Sequence, residues 1–159
     1  MQRTRLWRVL RWLLLIGVGL FAIAQFIRPA RTNPEIDQSL ALESHVQVEP
    51  KVAAILDRSC ADCHSNQTRW PWYANVAPVS WFVIDHVNHG RSHLNFSEWG
   101  NYDASEQKDL LREICQEVKS GSMPLSSYTP LHPGSKLSAE DVKVLCDWSN
   151  AGRMRLGSP

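Results

Sequence analysis

The stretch "CADCHSN", Cys60 to Asn66, decides how the rest of the chain is read. Two cysteines lie three apart and a histidine follows the second. This pattern serves covalent haem attachment, half of a zinc site, or a thiol redox pair. The three chemistries need different surroundings, so the flanking sequence discriminates among them.

A redox Cys-x-x-Cys follows a strand inside a β/α pattern. Here the preceding segment is helical. Pro50 suits a first helical position, and Val52, Ile55 and Leu56 form an apolar face at helical spacing up to about Ser59. A structural zinc site needs four ligands, normally as two close pairs. Cys60 and Cys63 supply one pair, but Cys115 and Cys146 are far apart in sequence. His86, His89 and His93 lie at helical spacing; His89 and His93 read most simply as a solvated polar face, and His86 as packing near the aromatic cluster. Covalent haem needs two thiols for two vinyl groups and a histidine that reaches the iron from the same segment. The motif meets both needs.

Downstream, the spacing predicts three more helices. Val79 to about His89 is helical, with "HG" at His89–Gly90 as a stop. Ser105 to Ser120 has the stripe Leu110, Leu111, Ile114 and Val118, ended by Gly121. A last helix opens with Ser138 and Asp141 as a capping box, buries Val142, Leu145 and Trp148, and ends at Gly152. Between the last two, residues 122–136 form an irregular loop with three prolines. No segment alternates as a long strand does. The fold class is all-α with long loops.

The N-terminus carries a different signal. Residues 1–31 hold six arginines and no acid, and Trp12 to Ile27 is continuously apolar or small apart from Gln25. A basic start followed by such a run is a signal or an anchor. Starting from Trp7 it reaches the ~30 Å of a bilayer core. "AIA" at Ala22–Ala24 offers a cleavage site, but the apolar run continues to Phe26 and Ile27, which favours an uncleaved anchor. Four arginines before the span and two after it put the N-terminus in the cytoplasm and the remainder on the periplasmic or outer side. The expected organisation is an anchor over 1–31, a tether over 32–49, and a haem-binding domain over 50–152. Beyond residue 31 there are 11 Lys or Arg against 16 Asp or Glu, a net −5, so nucleic acid is not an expected partner.

"CADCH", then "GSMP" around Met123, then a helix opened by "LSAED", resembles a class I c-type cytochrome. The longer runs "CHSNQTRWPWYANVAPVSWFVIDHV", "LNFSEWGNY" and "GSMPLSSYTPLHPGSKLS" resemble a bacterial family of membrane-anchored, single-haem haem-binding domains. The resemblance implies a small cytochrome c-like domain holding one haem c. Cys60 and Cys63 would carry the covalent bonds, with His64 as proximal iron ligand. Met123, in a proline-stiffened loop, is the expected distal ligand, with His132 as its rival. Pro78 is the expected carbonyl source for the His64 ring, with Pro71 as the alternative. Trp70, Trp72, Tyr73 and Trp81 are the expected apolar wall of the pocket, with Phe82 beside them.

The expected function is single-electron transfer to an unidentified redox partner at a membrane, without enzymatic turnover. A haem-based gas or redox sensor is the alternative, followed by a peroxidase-like site using His86 and by the zinc module. Cys115 and Cys146 are either two buried thiols or a disulfide.

Overall fold

The computed structural model describes residues 2–157. Among them there is no strand, and seven α-helices follow in chain order. They are α1 (Gln2–Ala24), α2 (Leu42–His45), α3 (Pro50–Ser59), α4 (Ala61–His64), α5 (Val79–His93), α6 (Ala104–Ser120) and α7 (Ala139–Leu156). Short 3-10 turns occupy Trp72–Asn75, Phe96–Asn101 and Thr129–Leu131. The all-α expectation is met.

The chain forms two compact units. One comprises Met1–Thr32 with Trp70–His86, and the other Asn33–Arg69 with Val87–Pro159. In the first, Arg5–Ala24 is a 20-residue apolar stretch of α1 with none of its residues buried. At 1.5 Å per residue it rises ~30 Å, so α1 is long and apolar enough to cross a membrane. It ends earlier than the apolar run does. Gln25, Phe26 and Ile27 bond back to Ala22, Ile23 and Ala24 in tight turns, and Pro29 follows. Gln25 then pairs with the Ala77 backbone in both directions, at 3.1 and 3.0 Å. The Trp81 indole donates to the Ile27 carbonyl at 2.7 Å.

The second unit holds the main hydrophobic core. Val52, Leu111, Leu145 and Trp99 are fully or almost fully buried in it. Removing a side chain such as Leu111 from a core of this kind costs about 2–5 kcal/mol. Both long helices of this core have the caps their sequences encode. Asp103 caps α6 in a capping box with Glu106, and Ser138 caps α7 with Asp141. The α6–α7 pair is the most extensive helix contact, and the Cys115–Cys146 disulfide joins the two.

Three expectations change. Part of the segment read as a tether is packed, with Leu42 wholly buried and Val46 in the core, because "LALESHV" folds as a short helix. Helix α5 does not stop at Gly90 but runs to His93. Helix α7 continues through Gly152 to Leu156. In both cases the glycine is there for close packing. A Cβ on Gly90 would lie 2.6 Å from the Cys63 carbonyl oxygen, and one on Gly152 would lie 3.0 Å from a Leu111 methyl.

Candidate haem site

The motif begins where α3 ends. The amides of Cys63 and His64 both bond to the Cys60 carbonyl, winding the motif into the one-turn helix α4. This turn brings His64 round beside Cys60, so both line one cleft. Ser59, Cys60 and His64 form one wall of an apolar cleft. Leu94 and Phe96 form a second wall, and Leu110, Ile114 and Val118 from the α6 stripe form a third. Met123 completes the lining. The cleft contains about 570 Å³ of space not filled by atoms, its solvent-open part included. Glu113, Glu117 and His93 make a polar rim, with His93 Nε2 2.9 Å from Glu113.

His64 is oriented by backbone. Its Nδ1 lies 3.0 Å from the Leu94 carbonyl. The last carbonyls of a helix have no intrahelical partner, and Leu94 directly follows α5, so this acceptor is available. With Nδ1–H donated there, Nε2 keeps its lone pair. Burial holds the imidazole below its usual pKa, overcoming the nearby Leu94 and Gly90 carbonyls that favour the charged form. A neutral, oriented imidazole is a ready metal ligand. The accepting carbonyl is therefore that of Leu94, not of Pro78 or Pro71.

Met123 reaches the cleft because of how α6 ends. Gly121 adopts the left-handed conformation at φ 76°, and the chain folds back until the Met123 amide bonds to the Glu117 carbonyl at 3.2 Å. His132 is placed differently. Its ring stacks on Tyr128 at 3.7 Å and its Nδ1 lies 2.9 Å from the Tyr128 carbonyl. It is not among the residues lining the cleft.

Asp62, the central residue of the motif, was not singled out from the sequence. It is buried and accepts three hydrogen bonds. The Arg69 amide and Nε reach one carboxylate oxygen at 3.1 and 3.0 Å, and the Tyr128 hydroxyl donates to the other at 2.7 Å. Burial, then the bond to Asp62, pushes the Tyr128 phenol well above its usual pKa, so it stays a donor. Asp62 thus ties the motif to the loop that carries Met123. The "SN" after the histidine is anchored too. Asn66 bonds Ser97 and Asn95 at 3.0 and 2.9 Å, and Arg91 Nε donates to the Ser65 carbonyl at 2.7 Å.

The cysteines divide into two kinds. Cys115 and Cys146 are bonded to each other, which removes both as partners for a zinc site at the motif. Cys60 and Cys63 are free thiols. Burial, together with the neighbouring Cys63, pushes Cys60 up to about 12, and burial, with the adjacent Asp62 charge, pushes Cys63 up to about 11. In the chain alone, both therefore stay protonated thiols at neutral pH. Cys63 is packed beneath Gly90 and does not line the cleft. Among the described residues, no three His, Cys, Asp or Glu side chains cluster as a metal site.

The remaining residues expected at the pocket are in the first unit, Trp70, Trp72, Tyr73, Pro78 and Trp81 among them. The cleft takes its walls from Leu94, Phe96 and the α6 stripe instead. Trp72 is largely exposed. His86 belongs to the first unit, with Nδ1 2.8 Å from the Phe82 carbonyl.

The donor set fits haem. It pairs one neutral imidazole with one thioether across an apolar cleft, the combination haem iron accepts in cytochromes. Ser59 lines the cleft, and its buried hydroxyl has no hydrogen-bond partner in the chain. A helical domain built around such a cleft is a haem-binding domain. A family model described as haem-binding domain matches residues 19–151, and the chain belongs to that family. No curated protein and no solved structure matches it.

Proposed function

We propose that the chain holds one haem c and passes single electrons at the outer face of a membrane. The observation that carries this reading is the shared apolar cleft of Cys60, His64 and Met123, with the His64 ring fixed by the Leu94 carbonyl. In this reading the Cys60 and Cys63 thiols form the two thioether bonds, as in class I c-type cytochromes. His64 Nε2 and Met123 Sδ would be the two side-chain atoms that hold the iron. A bound haem supplies the Fe(III)/Fe(II) couple.

The chain's own residues tune that couple. The apolar walls exclude water and disfavour the additional positive charge of the ferric state. A thioether ligand raises the potential relative to a second imidazole. If His64 and Met123 both hold the haem, the chain would leave substrate no open position there, which favours electron carriage over turnover. In this reading helix α1 anchors the domain, and the arginine asymmetry around it supports a haem domain on the periplasmic side. Anchoring raises the effective concentration for membrane-bound redox partners.

The test is Met123→Ala in matured protein. The ferric methionine-to-iron charge-transfer band is expected to vanish, and the reduced protein to gain carbon monoxide binding. An unchanged spectrum in Met123→Ala would remove Met123 from the iron. Carbon monoxide binding by the unmodified protein would favour the sensor reading instead.

A further inference from the structure

The first unit exposes more large apolar side chains than its membrane helix accounts for. Trp72 is 78% exposed, Phe82 53% and Val79 45%. Beside them, just past the end of α1, Phe26 is 88% exposed and Ile27 58%. Val79 and Phe82 are three apart on α5 and share a face.

We infer that these residues form a membrane seat, inserted into the interfacial layer of the same bilayer that α1 crosses. The inference rests on reading α1 as a membrane span. Its independent support is where the patch is pinned. Gln25, one residue past α1, bonds both backbone groups of Ala77, and Trp81 donates to the Ile27 carbonyl. Val79 opens α5 two residues after Ala77, and Phe82 lies ~4.5 Å of helix rise beyond Val79. The polar layer on each side of the hydrocarbon is only ~5–8 Å thick. With Ala77 and Trp81 held at the end of α1, Val79 and Phe82 both lie within about one helical turn of that end.

The chemistry of the patch suits lipid. Trp and other amphipathic aromatics favour the headgroup level, where one end is apolar and the other wet. Arg28 and Arg31 line a shallow cleft with Asn75 and Ser80 on the same unit, the arrangement that attracts the phosphates of anionic lipids. A soluble protein partner would explain the exposed rings but not their attachment to the end of the span.

The experiment uses the full chain in phosphatidylethanolamine–phosphatidylglycerol vesicles. A photo-reactive benzoylphenylalanine replaces Trp72 in one variant, Phe82 in a second, and exposed Glu140 of α7 in a third. Flotation with the vesicles checks the anchor. The expected result is a mass increase of one phospholipid on irradiation at positions 72 and 82, at least tenfold above that at 140. A chain that floats but gives no lipid adduct at 72 and 82, or gives protein adducts there, overturns the seat and leaves the anchor standing. A chain that does not float overturns both.

Discussion

Gly90→Ala tests the packing that sets the haem site. On an open helix face this change stabilises by about 1 kcal/mol, because alanine is the better helix former. At Gly90 the added Cβ would meet three atoms of one residue, the Cys63 carbonyl oxygen at 2.6 Å, its carbonyl carbon at 3.1 Å and its Cβ at 3.2 Å. No rotamer relieves a contact with backbone. Ordinary contact begins at 3.4 Å, so α5 and the motif must separate by roughly 0.8 Å, and interiors do not yield freely. Overpacking of this kind costs about 1–3 kcal/mol, and more when backbone moves. Set against the ~1 kcal/mol helix gain, the net expectation is a loss of up to about 2 kcal/mol. The same displacement moves the Leu94 carbonyl, four residues on, away from His64. Urea unfolding of the matured protein should show the midpoint falling by about 0.5–1.5 M at unchanged slope. Gly152→Ala is the control. There the nearest atom is a flexible Leu111 methyl at 3.0 Å, which can shift, so the change should stay within about 0.5 kcal/mol. A Gly90→Ala protein more stable than the parent, with an unaltered haem spectrum, would refute the reasoning.

Tyr128→Phe should leave one buried Asp62 oxygen without its donor and cost about 1–3 kcal/mol by thermal or urea unfolding; loosening of the Met123 loop should also appear as some carbon monoxide binding that the parent lacks. Reducing the Cys115–Cys146 bond, which spans 31 positions, should cost about 3–4 kcal/mol by chain entropy, checked by unfolding with and without a reductant. Asp141 gives a pH signature. Burial opposes its charge, but the Ser138 amide and hydroxyl and the Arg58 guanidinium outweigh it and hold the carboxyl at about 2. Its folded pKa lies below its unfolded ~3.9, so its stabilisation is present above that value and is lost as pH falls towards about 2. The stability gap between parent and Asp141→Asn should therefore be constant from pH 7 to 5 and shrink between about pH 4 and 2; a gap independent of pH would contradict the assignment.

What was legible in the sequence was local. Pro50, Gly121 and the Ser138–Asp141 pair announce helix ends because their physics is contained within a few residues, and the apolar stripe of α6 shows at helical spacing. The cysteine pair and its histidine are likewise read from one turn of chain. Gly90 and Gly152 lie within helices, and a glycine that ends a helix and a glycine that admits a neighbour look alike in one sequence. The Leu94 carbonyl was invisible since a backbone acceptor has no residue signature. Asp62 and Tyr128 stand 66 positions apart, and nothing local pairs them. The tryptophan-rich segment suggested a pocket wall by composition alone, while the aliphatic stripe of α6 supplies that wall.

The most direct test of the central claim is a pyridine haemochrome spectrum of the chain produced with a covalent haem-attachment system, paired with the mass of the denatured protein. The account predicts one haem per chain, a haemochrome band of the type given by two saturated vinyl groups, and a mass increased by one haem that survives denaturation and is lost in Cys60→Ala/Cys63→Ala. A chain that acquires no haem, or whose haem is extracted intact by acid and organic solvent, would contradict it.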